Sequence, residues 1–92
     1  MSYADRIRTK LTQGLAPERI DLVDESHRHA GHAGANPDGE THFSLTVVAS
    51  VFAGKPRVER QRMVYDLLKE EMAERVHALV LTTRTPEEAA RL

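Results

Sequence analysis

The sequence predicts a single α+β domain in which helices cover one face of a three-stranded sheet. Two segments repeat hydrophobic residues every four positions, as on the buried side of a helix, and a third alternates them with polar residues, as in a half-buried strand. A chain of 92 residues is too short to bury two separate cores, so one domain is predicted over residues 1–92. The predicted order of elements is α-β-β-α-β, followed by a short C-terminal helix.

The first helix is predicted to begin at Ser2, since a hydroxyl followed three residues later by the acidic Asp5 is typical of a capping box. The hydrophobic residues at four-residue spacing are Tyr3, Ile7, Leu11 and Leu15. Pro17 prevents the helix from continuing, and Ile20–Asp24 is the first strand candidate.

Residues 25–40 lose all hydrophobic periodicity and are rich in Ser, His, Gly, Ala, Asn, Pro and Asp. We interpret them as a mobile loop of about fifteen residues, a length that is uncommon in compact domains and is usually functional.

Alternation returns from Thr41 to Phe52, which we predict as one strand. One side is predicted to carry Phe43, Leu45, Val47 and Ala49, and the other Ser44, Thr46, Val48 and Ser50. A second helix is predicted from about Val58, with hydrophobic residues at Val64, Leu68, Met72 and Val76. Its predicted exposed face carries Arg60, Arg62, Lys69, Glu70, Glu71 and Glu74.

The third strand is predicted over His77–Thr82, with the His77 side chain on the same face as Leu79 and Leu81 and therefore against the protein. After it, Thr85 as a cap and proline at the first helical position predict the short terminal helix.

Composition narrows the possible functions. The chain has no cysteine and a formal net charge of −1, so it offers no thiol chemistry and lacks the strong positive charge typical of nucleic-acid-binding proteins. No hydrophobic run approaches the roughly 20 residues that cross a bilayer, and the N-terminus does not resemble a secretory signal. These features predict a cytoplasmic protein without a membrane partner.

The five histidines are the main candidates for metal ligands, because no cysteine competes with them. His27, His29 and His32 lie in the loop, His42 opens the second strand, and His77 precedes the hydrophobic part of the third. Their spacing matches neither the zinc-protease nor the zinc-finger pattern. On spacing alone, the loop histidines are equally explained as a polar loop and as ligands, and His77 as an ordinary edge histidine.

No constellation of residues predicts catalysis, and no phosphate-binding loop is present. Four cations, Lys55, Arg57, Arg60 and Arg62, lie near the predicted start of the second helix, where backbone N–H groups also favour phosphate. The order of elements is similar to the K-homology fold, but Gly54 has no second glycine three residues later, so the clamp for a nucleic-acid backbone is missing. A solvated basic helix start is the alternative.

Several segments together resemble the BolA family. They are Val23–Ser26 before the histidine loop, Glu40–Phe43, Phe52–Gly54, Val58–Tyr65 and Val76–Leu79. The resemblance covers nearly the whole chain. It departs from the family at Gln61, where a histidine is common, and the loop carries histidines where some members have a cysteine.

The resemblance implies a class II K-homology-like fold and partnership with a monothiol glutaredoxin in iron–sulfur cluster trafficking. It implies a shared [2Fe–2S] cluster with sulfur ligands from the glutaredoxin and glutathione, while the isolated chain holds no tightly bound cofactor. The implied histidine ligands are His77 and His29, with His27 and His32 as alternatives. The chain would be a monomer alone and a heterodimer with its partner, docked partly through Lys55, Arg60 and Arg62.

Two further hypotheses remain open at this stage. The first is a DNA-binding transcriptional regulator of stress response and cell morphology, which would use the cations from Arg57 to Arg62. The second is a zinc or nickel binder that uses the histidine loop.

Overall fold

The computed structural model describes residues 2–25 and 41–91. Its elements are α1 (Tyr3–Leu15), β1 (Arg19–Asp24), β2 (His42–Val48), a 3₁₀ turn (Ser50–Phe52), α2 (Arg57–Leu67), α3 (Lys69–Glu74), β3 (Ala78–Arg84) and α4 (Pro86–Ala90).

The three strands form one sheet in the order β1-β2-β3. β1 pairs antiparallel with β2, placing Asp24 opposite Phe43, and β2 pairs parallel with β3, placing Phe43 opposite Leu79. The parallel pair requires a crossover, and α2 and α3 provide it. The predicted α+β fold with a three-stranded sheet is confirmed.

The hydrophobic core lies between the sheet and the helices. Its members with less than 2% of their surface exposed include Ile7, Leu11, Leu45, Val47, Ala49, Phe52, Val64, Leu68 and Val76. The positions that alternate along β2 and the four-residue repeat of α1 therefore face each other, as their periods predict.

Both predicted helix caps are confirmed. The Ser2 hydroxyl accepts a hydrogen bond from the Asp5 backbone N–H at 3.0 Å, and the Asp5 carboxylate accepts one from the Ser2 backbone N–H. The Thr85 hydroxyl and the Glu88 carboxylate form the equivalent box at α4. At its other end α1 stops at Ala16, which adopts the left-handed conformation with φ 45°.

The second strand is shorter than predicted, because β2 ends at Val48 and residues 50–52 form a 3₁₀ turn. Val48, predicted on the polar side, is buried, and it borders a surface depression together with Pro86 and Ala89 of α4. The prediction of a single strand to Phe52 was wrong in its length, although Phe52 is fully buried.

The predicted second helix is two helices, interrupted at Leu68. The Leu68 backbone has φ −104° and ψ 11°, and its N–H is shared between the carbonyls of Val64 and Tyr65. The four-residue hydrophobic spacing continues through this break, because Leu68 itself is buried. α2 and α3 therefore pack on the same core.

The structure also overturns the prediction that Glu71 is solvent-exposed. Its side chain is 0% exposed and its carboxylate bridges two cations of α1, Arg6 at 2.8 Å and Lys10 at 2.9 Å. Arg6 also pairs with Glu74 at 2.8 Å. Burial alone would raise the pKa of Glu71, but the hydrogen bond from Lys10 and the charges of Lys10 and Arg6 outweigh it, so the pKa lies below its ordinary value.

Candidate histidine site

Two histidines meet where β2 and β3 begin. His42 is the first residue of β2 and His77 directly precedes β3, so the parallel pairing brings residues distant in sequence to the same end of the sheet. Their ring centroids are 6.3 Å apart, with the ring planes tilted by 49°. Sequence spacing alone did not pair these two residues.

The backbone at Thr41 fixes the relative position of the two histidines. The Thr41 carbonyl accepts hydrogen bonds from the N–H of His77 at 2.7 Å and of Ala78 at 3.2 Å. Because two successive amides share one acceptor, His77 stands outside the regular ladder of β3. Its side chain is exposed, so the prediction that it lies on the core face with Leu79 was wrong. The buried Val76 occupies the core at this point instead.

The Thr41 side chain also contacts the site. Its hydroxyl oxygen lies 2.9 Å from Nδ1 of His42, and the residue is only 1% exposed. This contact fixes the orientation of the half-buried His42 ring.

The predicted loop ligand His29 and its alternatives His27 and His32 lie outside the described residues. The residues on either side of that segment are described. The Glu25 N–H donates to the His42 carbonyl at 2.8 Å, and Thr41 leads directly into β2. The segment therefore leaves and re-enters the sheet at the end that carries His42 and His77.

The four predicted cations are not equivalent. Arg57 and Arg62 are exposed and Lys55 is half-buried. Arg60, whose side chain is 13% exposed, forms a two-pronged ion pair with Glu88 of α4 at 2.7 and 3.2 Å and donates from Nε to the Lys55 carbonyl. The Arg60 guanidinium is the main reason that the pKa of Glu88 falls to about 2, with backbone hydrogen bonding at Thr85 adding to it.

Sequence reasoning missed this pairing and one further cation. Arg60 and Glu88 are 28 positions apart, and no local pattern predicts their contact. Arg84, at the end of β3, joins Arg57 and Arg60 around a surface depression of about 450 Å³. Arg60 thus joins α2 to α4, while Arg57 and Arg84 border the depression.

Within residues 2–25 and 41–91, no group of three or more histidine, cysteine or acidic side chains is placed to hold a metal ion. The histidine pair therefore offers two ligands at most from the described residues. None of the described helices is both long enough and hydrophobic enough to cross a membrane.

The fold and the histidine pair together define a small α+β domain with a two-imidazole site at one end of its sheet. The sequence pattern of the BolA-like protein family matches residues 11–88, and the chain belongs to this family. The predicted resemblance is thereby confirmed at the level of the family.

The chain is similar to SufE-like protein 1, chloroplastic/mitochondrial, of Arabidopsis thaliana, with 46% identity over 87 residues. It is also similar to protein BOLA1, chloroplastic, of the same plant, with 43% identity over 88 residues. These alignments cover 90% and 94% of this chain but 24% and 55% of the two relatives. Among solved structures, BolA1 from Arabidopsis thaliana superposes with a TM-score of 0.86 at 42% identity, with 96% of each chain covered.

Proposed function

We propose that this chain is an adaptor that shares a [2Fe–2S] cluster with a monothiol glutaredoxin during iron–sulfur cluster trafficking. The observation that carries the proposal is the exposed His77 side chain, whose backbone is held by the sheet at the end from which the histidine-rich segment departs. The cluster is cargo that passes through the complex, and the glutaredoxin and glutathione supply its sulfur ligands.

Chain geometry supports His29 as the second ligand. His29 follows Glu25 by four residues, so its Cα lies within roughly 14 Å of the Glu25 Cα. The C-terminal end of β1 and the start of β3 lie on either side of β2, so they are separated by two strand spacings, roughly 10 Å. The His29 side chain can therefore reach metal bound at His77 without any change in the sheet. His27 and His32 stay as alternatives.

The chemistry of this ligand set favours transfer. Two neutral imidazoles in place of two anionic thiolates raise the reduction potential of a [2Fe–2S] cluster. One ligand has its backbone held by the sheet and the other belongs to a segment joined to the sheet at both ends, so the second can release while the first still holds the iron.

Reconstitution with a purified monothiol glutaredoxin, iron, sulfide and glutathione tests the proposal. We expect the visible absorption and circular dichroism of the glutaredoxin-bound cluster to change when one equivalent of this chain is added. His77→Ala should abolish the change, because the fixed ligand is lost, and His29→Ala should reduce or abolish it.

Ser44→Ala is the matched control, because it alters a polar side chain of β2 close to the site without removing an imidazole. It should give the wild-type spectrum. An unchanged spectrum on adding the wild-type chain, or a full wild-type response from His77→Ala, would contradict the proposal. If His27→Ala or His32→Ala abolishes the response in place of His29→Ala, the loop ligand is reassigned and the adaptor function stands.

A further inference from the structure

We infer that His42 and His77 form a two-histidine site for a single divalent transition-metal ion on the isolated chain. The inference requires neither a glutaredoxin nor the loop histidines. His42 has no part in the ligand set proposed above, and its place beside His77 follows from the sheet geometry alone. The site would take copper, nickel or zinc, the divalent ions that imidazole suits.

The separation of the rings fits a shared metal after a small adjustment. With metal–nitrogen bonds of about 2.0–2.1 Å and roughly tetrahedral angles, two bound imidazoles have centroids roughly 5 Å apart. The observed separation is 6.3 Å, so the rings must approach by about 1 Å. His77 is exposed and can make this movement by side-chain rotation.

The surroundings of His42 resemble the outer shell of a metal site. Histidine ligands commonly hydrogen-bond through their other ring nitrogen to a protein acceptor, which fixes the tautomer and the ring orientation. The Thr41 hydroxyl is in this position at Nδ1 of His42, and Thr41 is buried, so its location is well defined. When Nδ1 donates its hydrogen to this oxygen, Nε2 presents its lone pair to a metal.

The backbone holds the two ligands together before any metal arrives. The Thr41 carbonyl binds the N–H of His77, and the residue after Thr41 is His42. No backbone ordering is therefore needed on binding and only the side chains lose freedom, which favours even a two-ligand site. Water fills the remaining coordination positions, or an outside ligand does.

The test uses Cu²⁺, which binds nitrogen ligands more tightly than the other divalent ions of its row and reports them in its paramagnetic resonance spectrum. The host is a full-length variant in which His27, His29 and His32 are all alanine, called here the loop-alanine variant. We expect it to bind one equivalent of Cu²⁺, with hyperfine structure from two imidazole nitrogens.

Single changes in the loop-alanine variant identify the ligands. His42→Ala and His77→Ala should each weaken Cu²⁺ binding at least tenfold, and the double change should add little to either, because each single change already breaks the chelate. Ser44→Ala should have no effect. Thr41→Val, which removes the hydroxyl group, should weaken Cu²⁺ binding by about 10–100-fold, whereas Thr41→Ser, which keeps it, should leave binding unchanged. Circular dichroism checks that both variants are folded.

Loss of Cu²⁺ binding in the loop-alanine variant itself would overturn the inference, because it would place the metal on the loop. Wild-type affinity in the His42→Ala form would overturn it as well. Both measurements are made without glutaredoxin, so their failure leaves the cluster-sharing proposal standing. Conversely, a failed cluster reconstitution leaves the copper result valid.

Discussion

The buried Glu71 carboxylate allows a sharp test of how this fold is held together. Removing the carboxylate by Glu71→Gln should cost less stability than removing its two cations by Arg6→Met/Lys10→Met. The reason is an asymmetry of exposure, since the Glu71 side chain is 0% exposed while those of Arg6 and Lys10 are 25% and 30% exposed. Cations left without Glu71 can regain water, whereas the carboxylate left without them cannot.

The expected costs follow from that asymmetry. In Glu71→Gln the amide oxygen still accepts a hydrogen bond and Arg6 keeps Glu74 at 2.8 Å, so the loss is about 1–2 kcal/mol. In the double variant a fully buried carboxylate has lost both partners, and the loss is about 3–5 kcal/mol. For a domain of this size, 1 kcal/mol corresponds to about 4–8 °C, so the double variant should melt at least about 12 °C lower than wild type.

Urea denaturation followed by circular dichroism between pH 4 and pH 7 measures both costs and their pH dependence. In the wild type the pKa of Glu71 is lowered, so its contribution is present above the ordinary carboxyl pKa and is lost as the pH falls. In the double variant, burial without a cation raises the pKa of Glu71. Protonation then relieves the penalty, and the gap to wild type should narrow as the pH falls.

Arg8→Met/Arg62→Met is the matched control, because it removes the same charge from two exposed positions and should change stability by no more than about 1 kcal/mol. The reasoning is refuted if Glu71→Gln costs as much as the double variant at pH 7. It is equally refuted if the cost of the double variant does not depend on pH.

Three further changes test local features of the fold. Ala16→Gly should stabilise by about 0.5–1 kcal/mol in thermal melts, because glycine adopts φ 45° without strain, and a lower melting temperature would contradict this. The Arg60 guanidinium lowers the pKa of Glu88 to about 2, so the pair contributes stability that is lost as the pH falls from about 4.5 to 2. Glu88→Gln should therefore lower the urea midpoint at pH 7 but not at pH 2, and equal effects at both would exclude the pairing. Gly14→Ala places a Cβ 2.7 Å from two Leu67 methyl groups, so it should lower the free energy of unfolding by about 1–2 kcal/mol in urea denaturation. In a Leu67→Ala background the clash is absent, and the same change should stabilise by up to about 1 kcal/mol because alanine favours the helix.

The sequence predicts the parts of the fold that depend on neighbouring residues. Both capping boxes and the stripe of α1 are local, since each involves residues within four positions of one another. The break between α2 and α3 was missed because it leaves the hydrophobic spacing intact. Val64, Leu68, Met72 and Val76 keep their four-residue repeat although Leu68 interrupts the helix.

The charged residues Glu71 and Arg60 were misplaced for a different reason. Glu71 was assigned to the exposed face because it is charged, although its position seven residues after Val64 and three after Leu68 places it on their buried side of a helix. The partners of Glu71 and Arg60 are 61 to 65 and 28 positions away, respectively. Such contacts depend on how the helices pack, which a single sequence does not specify.

The histidine pair depends on topology more than on any motif. His42 and His77 are 35 positions apart, and they meet only because β3 runs parallel to β2 after a helical crossover. An antiparallel return would have placed the start of β3 at the opposite end of β2 and separated the two rings by the length of the strand. β2 is the central strand and the Thr41 carbonyl accepts hydrogen bonds from two successive amides at the start of the neighbouring strand, so the sheet brings the backbones of the two histidines together. The loop-alanine variant can therefore separate a site built by the two strands from ligands that the loop contributes.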